Sequence, residues 1–268
     1  MSQPLRVISW NVNGLRARAE HVERLLQTLQ PDVLCMQETK VQNDLFPTQL
    51  FDELGYTHQH IHGQKSHHGV AIVAKIPLNG ATKDVYANKD DCRHVGASVN
   101  ANGHSVQIHN FYVPSGGDEP DVALNEKFDH KIKFWTDMAT QLPGRTETKS
   151  LLVGDLNVAP RETDVWDHKR MQKMVGHSPQ EVAALDRAMD VGGWIDLLRE
   201  VTPVSEPLYS WWTYRSKTAL ERDRGWRLDH AWATPGLRAH LQDCTVYREA
   251  RTWEKPSDHA PVVIDLAL

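Results

Sequence analysis

Cysteine is scarce in this 268-residue chain: Cys35, Cys92 and Cys244 are odd in number and scattered. That spacing builds neither a disulfide framework nor a paired-cysteine zinc motif, and a reducing compartment is expected. Long apolar runs are missing too. None approaches the roughly 20 residues of a membrane span, and the opening residues MSQPLRVISW lack the basic start and apolar centre of a secretory leader. The expectation is a soluble, cytoplasmic protein with no membrane partner. Nor is there an excess of positive charge, because 30 Lys and Arg face 35 Asp and Glu for a formal net charge of -5. A protein that holds nucleic acid by bulk positive charge is thereby disfavoured, so any polyanion must be gripped locally. Low-complexity linkers, short repeats and composition breaks are also lacking, so residues 1–268 are expected to form a single domain, and the protein a monomer.

What is present suffices for a large core: 40% of the residues are hydrophobic and nine are Trp. Apolar runs typical of buried strands occur at Leu5 to Trp10, Val33 to Met36, Val70 to Ala74, Val106 to Val113, Leu151 to Val153, Trp226 to Trp232 and Val262 to Leu268. Between them lie helical spacings: Val22, Leu25, Leu26 and Leu29, then Leu124, Phe128, Ile132 and Trp135, then Val182, Leu185 and Met189. This alternation predicts α/β layering. Pro160 to Pro179, rich in charge, is the most loop-like region.

The strands share one habit: each delivers polar side chains at its end. Asn11 and Asn13 follow the first, then come Glu38, Tyr112, Asp155 with Asn157, Asp229, and the adjacent Asp258 and His259. Any one of these could simply stop a strand. Four carboxylates converging on one face, Glu38, Asp155, Asp229 and Asp258, would repel one another unless a cation or raised pKa values relieved them. A hard divalent metal is the economical answer, and with one histidine the set suits phosphoester hydrolysis. Adjacent strand residues point to opposite faces, so only one of Asp229 and His230 can reach such a site, and Asp229 is the better candidate. His58, His60 and His62 alternate along "THQHIH" and share a strand face. No neighbouring cysteine or acid completes a tetrahedral zinc set, so a wet sheet face or a DNA-facing loop is expected there.

The segments "SWNVNGLRAR", "PDVLCMQETKV", "GQKSHHGVAI", "NFYVPSG", "LLVGDLNVAP", "YSWWTYRSK", "RGWRLDHAWAT" and "KPSDHAPVV" follow the order and approximate spacing of the exonuclease III family of abasic-site (AP) endonucleases, which the chain resembles from about Leu5 to Leu268. The resemblance implies a DNase I-like four-layer α/β/β/α sandwich, with the site at one edge of both sheets. It also implies Mg²⁺, replaceable by Mn²⁺, with Glu38 as principal ligand, Asn11 and Asn13 beside it, and Asp258 serving the metal or its waters. Asp155 would orient and deprotonate the attacking water, helped by Asn157. His259 would contact the phosphate, oriented by Asp229, and Tyr112 would meet the phosphate or leaving group. Trp211, Trp226 and Leu228 would form the apolar pocket for a base-less sugar, where a lesion is cheaper to extrude than a paired base. Lys40 and Arg215, with Arg16, Arg18, Lys65 and Lys217, could grip phosphates. The implied activity is cleavage of double-stranded DNA 5′ to abasic sites, with 3′–5′ exonuclease action and trimming of blocked 3′ ends. Two alternatives are a phosphatase or phosphodiesterase of the same superfamily acting on a non-DNA ester, and a catalytically inactive DNA-binding module.

Overall fold

Two six-stranded sheets lie face to face in the computed structural model, which describes residues 4–142, 148–216 and 218–268. In chain order the strands are β1 (Leu5–Asn11), β2 (Val33–Gln37), β3 (His58–His62), β4 (Val70–Ala74), β5 (Asn79–Thr82), β6 (His94–Ala101), β7 (His104–Tyr112), β8 (Ser150–Asp155), β9 (Ile195–Asp196), β10 (Asp229–Ala233), β11 (Leu241–Val246) and β12 (Val262–Leu266). One sheet has the order β11-β12-β1-β2-β4-β3 and the other β5-β6-β7-β8-β10-β9. Between them Val7, Val33, Cys35, Ile72, Val106, Ile108, Val153 and Ile264 interdigitate, fully buried. The helices Ala19–Leu29, Glu126–Gln141 and Pro179–Gly192 bear the expected apolar spacings except at Leu124, which precedes its helix and is exposed. Separate clusters form on the outer faces, around Trp10 and Phe51 on one sheet and around Trp135 and Trp232 on the other. No helix among the described residues is long and apolar enough to cross a membrane.

β1 runs parallel to β2, and β7 to β8, so the chain leaves these four strands at one rim of the sandwich. β10 and β12 run antiparallel to β8 and β1, so they begin where those strands finish. The polar groups gathered here thus include ones that open or precede their strands as well as ones that follow them, as expected for Asp258 and His259 ahead of the last strand. Asp229 opens β10 directly opposite Asp155, and Asp258 with His259 precedes β12. Alternating strand direction brings both kinds of position to the same rim. Gly154 permits the approach of β8 to β7: its φ is +144°, and a Cβ there would lie 1.9 Å from the Phe111 carbonyl oxygen.

The segment Pro160 to Pro179 is largely loop, as expected, but not wholly so. It contains a 3-10 turn, Glu162–Asp164, and a helical turn, His168–Met171. Buried Asp164 accepts from Arg227 through both oxygens, at 2.7 and 2.9 Å, and also from Arg199. Arg227 bonds Asp196 as well. The buried carboxylate of Glu181 receives the Gly176 N–H and the Lys131 ammonium. Charge that reads as solvated in sequence is paired inside, where each ion keeps a hydrogen-bonded partner.

Candidate active site

At the rim, Asn11 is fully buried and its amide donates to two carboxylates, Glu38 Oε1 at 2.9 Å and Asp155 Oδ2 at 2.8 Å. It thereby fixes the ends of β1, β2 and β8 relative to one another. Glu38, Lys40, Asn13 and Asn157 all have left-handed backbone, with φ of 49°, 55°, 46° and 53°. Such conformations are uncommon for residues other than glycine, and they persist only where the surroundings over-determine them. The Asn13 and Asn157 N–H groups are taken up by the Asn11 and Asp155 side chains two residues back.

The His259 ring stands between two acids. Its Nδ1 is 2.8 Å from Asp229 Oδ2, an oxygen that also accepts from the Ser210 hydroxyl at 2.6 Å. Because Nδ1 is engaged, Nε2 is the nitrogen left to face the site, 3.7 Å from Asp155 Oδ2 and beyond direct hydrogen-bond reach. Burial works against a charge on His259, but Asp229 and Asp155 together outweigh it and push its pKa up to about 10. Burial pushes the Asp155 carboxyl up to about 7, with Asp229 and Glu38 adding to the effect and His259 opposing it. The two form a coupled pair in which the imidazole keeps its proton and Asp155 titrates near neutrality. Burial also disfavours charge on Glu38, yet Lys40 and Asn11 hold its pKa below the ordinary value. The Tyr112 hydroxyl is held well above its usual range by burial, then by Glu38 and Asp155, and stays a neutral phenol.

Donor atoms of Glu38, Asp155 and His259 lie within 4.8 Å of one another. The Lys40 ammonium rests 2.8 Å from Glu38 Oε2, so this corner already accommodates positive charge. The two carboxylates suit a hard divalent cation, and His259, which keeps its proton, stands beside them without being a ligand. Asp258, expected beside the metal, stands apart from that group. Its oxygens accept from the Trp211 indole at 2.9 Å and from the Asn13 amide at 2.8 Å. Its link to Glu38 therefore runs through Asn13, whose side-chain oxygen also receives Lys40. His230 faces the other way, fully buried between the Val158 carbonyl at 2.8 Å and Arg227 at 3.1 Å.

Trp226 and Leu228 belong to one apolar cluster with Ala159, Val165 and Met171, and Trp211 packs against it. The Trp211 and Trp226 rings meet edge to face at 6.3 Å, and Trp211 is 6.5 Å from the His259 ring. Arg16, Lys40 and Lys65 line a cavity of about 270 Å³ next to Glu38. Arg18 bonds the Asn13 carbonyl and Arg215 is exposed, whereas Lys217 lies outside the described residues. Arg93 went unnoticed in the sequence. Its guanidinium lies 4.9 Å from the Tyr112 ring centroid, bonds the Tyr112 carbonyl at 3.2 Å, and is gripped by Asp91 at 2.6 Å and His68 at 2.9 Å. "DDCRH" carries no strand or motif signal that could have drawn attention to it.

Paired sheets with this carboxylate and histidine rim define the endonuclease, exonuclease and phosphatase class of hydrolases. The Endonuclease/Exonuclease/phosphatase family model matches residues 8–259. Exodeoxyribonuclease III of Haemophilus influenzae is 32% identical over 268 residues, covering 96% of this chain and 98% of its own. A DNA-(apurinic or apyrimidinic site) endonuclease of Dictyostelium discoideum is 30% identical, covering 98% of this chain and 71% of its own. Among solved structures, an AP endonuclease from Archaeoglobus fulgidus superposes with a TM-score of 0.90 at 32% identity over 98% of this chain and all of that one. The chain belongs to the endonuclease/exonuclease/phosphatase family, and within it to the exonuclease III group of AP endonucleases. It is accordingly a hydrolytic nuclease of a metal-dependent family with the DNase I-like fold.

Proposed function

We propose that this nuclease is a Mg²⁺-dependent DNA-repair phosphodiesterase that cuts duplex DNA 5′ to abasic sites and also trims 3′ ends. The observation that carries the reading is geometric: buried Asp155, held by the Asn11 amide at 2.8 Å, stands 3.7 Å from the Nε2 of His259, whose Nδ1 is held 2.8 Å from Asp229. A group that can accept a proton thus faces one that can stabilise phosphoryl charge. Relatives named for AP-site cleavage, together with a 3′-5′ exonuclease from Neisseria meningitidis at a TM-score of 0.88 and 30% identity, support the choice of substrate.

In this mechanism Asp155 takes the proton of the attacking water, which Asn157 helps to orient. The His259 imidazolium, its Nδ1–H held by Asp229, donates from Nε2 to a phosphoryl oxygen. Tyr112, a neutral phenol braced by Arg93, hydrogen-bonds the phosphate or the departing oxygen. Glu38, positioned by Asn11, would hold the cation, with Asn13 and Asp258 arranging its surroundings. A bound Mg²⁺ supplies positive charge that neutralises the phosphate and eases departure of the leaving oxygen. Trp211, Trp226 and Leu228 enclose an extruded sugar without its base, and a normal nucleotide is refused on size. Arg16, Lys40, Lys65 and Arg215 contact phosphates and compensate locally for an acidic total charge.

The test is incubation with a duplex carrying one tetrahydrofuran abasic analogue, with and without EDTA. Incision on the 5′ side of the analogue that stops with EDTA is expected. Retention of the duplex without cutting would assign the chain to DNA-binding modules. Hydrolysis of inositol phosphates or sphingomyelin, with no incision, would move it to the phosphatase branch.

A further inference from the structure

The histidine run on β3 acquires partners that its own neighbourhood in sequence does not provide. β3 is the edge strand of its sheet, and the side chains of His60 and His62 reach across to the other sheet: His60 Nε2 meets the Thr82 carbonyl at 2.9 Å and His62 Nδ1 the His94 carbonyl at 3.1 Å. A carbonyl only accepts, so Nδ1 of His62 carries the proton directed at it, and Nε2 points the other way. There it meets Asp90 Oδ1 at 3.1 Å, and Cys92 joins them: donor atoms of His62, Asp90 and Cys92 all lie within 4.8 Å of one another. The wet sheet face or DNA-facing loop expected for these histidines is thus a junction between sheets.

We propose that His62, Asp90 and Cys92 form a structural Zn²⁺ site that clips the edge of one sheet to the segment entering β6 of the other. Zinc takes sulfur, imidazole nitrogen and carboxylate oxygen together, at about 2.0 to 2.3 Å, so the triad needs to close by only about an ångström. The Asp90 side chain, 67% exposed, is free to make that movement and leaves a fourth position open to water. A carbonyl on the distal ring nitrogen is the usual orienting contact behind a metal-bound histidine. Cys92 is held with φ at 56°, a left-handed backbone that persists only when its surroundings fix it. Soft sulfur separates this site from the oxygen-rich rim around Glu38, which prefers a hard ion. The clip would also steady Arg93, the next residue, against Tyr112.

Chelator-treated protein titrated with Co²⁺ should develop a near-ultraviolet thiolate-to-cobalt charge-transfer band, which Zn²⁺ then abolishes. Cobalt at the catalytic rim has no sulfur ligand and cannot produce it, so Glu38→Gln should retain the band. Cys92→Ser should lose it. The exposed position offers a second variant with little risk to folding: Asp90→Asn should weaken Zn²⁺ binding at least about tenfold, as loss of a metal-orienting or ligating carboxylate does. Zn²⁺ should raise the melting temperature of the parent more than that of Asp90→Asn. Absence of the band in the parent, or its persistence in Cys92→Ser, overturns the proposal and leaves His62 and Asp90 as a plain ion pair.

Discussion

Replacing Asp229 by Asn removes the charge behind His259 while keeping the shape of the side chain. In the native protein, Asp229 Oδ2 sits 2.8 Å from Nδ1 in a fully buried position, so little solvent screens the contact. A hydrogen bond between charged groups is worth about 1.5–3 kcal/mol, which lowers the imidazole pKa by about one to two pH units when lost. The variant's imidazole pKa should lie below the raised value of the parent by that amount. The protonated form serves the reaction, so activity declines as pH rises through this pKa. The descending limb of kcat/KM should therefore move to lower pH in Asp229→Asn. The loss relative to the parent should grow as pH rises through the variant's pKa and level off, above the parent's pKa, at about tenfold for each pH unit of displacement. The assay is single-turnover incision of a tetrahydrofuran duplex at saturating Mg²⁺, since natural abasic sites break down in alkali. An Asp229→Asn variant that is slower by one constant factor at every pH would refute the argument and reduce Asp229 to packing.

Four further outcomes are expected. Asp155→Asn should abolish turnover and leave binding of abasic duplex largely intact by filter retention, because an amide keeps the shape but accepts no proton; in the parent the ascending limb should move to lower pH as the cation concentration rises, since added positive charge favours the carboxylate. Glu38→Gln should raise the Mg²⁺ concentration needed for half-maximal rate by about 10- to 100-fold, and an unchanged titration curve would remove Glu38 from the metal site. Trp226→Ala, verified as folded by circular dichroism and melting, should weaken abasic-duplex incision by about 1–3 kcal/mol while sparing 3′-phosphate removal. Equal losses in both reactions would make Trp226 packing beneath the site. Arg227→Leu leaves Asp164 and Asp196 without their shared buried partner and should lower unfolding free energy in urea by about 3–5 kcal/mol, with a change below about 1 kcal/mol contradicting the assigned role.

Asn11, Glu38, Asp155, Asp229 and His259 were legible because each stands at the boundary of an apolar run, where polarity changes abruptly along the chain. Their place relative to each strand was less legible. An apolar run does not state where its strand begins, so Asp229, inside the run Trp226 to Trp232, was not legible as the residue that opens β10, whereas Asp258 and His259 stand ahead of the last strand as expected. Arg93 had no such boundary, since β6 begins with His94 and its small and polar residues hide the strand. Buried pairs such as Lys131 with Glu181 and Arg227 with Asp164 are separated by 50 and 63 residues, and in sequence each partner alone resembles surface charge. Asp258 was legible as a site residue, but its hydrogen bonds to Trp211 and Asn13 depend on three loops meeting.

The pairing of β1 with β12 has a consequence for when the enzyme can first act. Three contacts close the rim between them: Asn13 to Asp258, Ser257 to the Asn11 carbonyl, and the Trp10 indole to the His259 carbonyl, with sequence separations of 245, 246 and 249. Contacts of such span form late, because much of the chain must be ordered before its distant parts can meet. A nascent or truncated chain ending before Asp258 can hold most of both sheets yet lacks His259 and the strand that follows it. If His259 acts as proposed, such a fragment has an incomplete rim, so the site is assembled only once synthesis has passed Leu266, the last residue paired with β1.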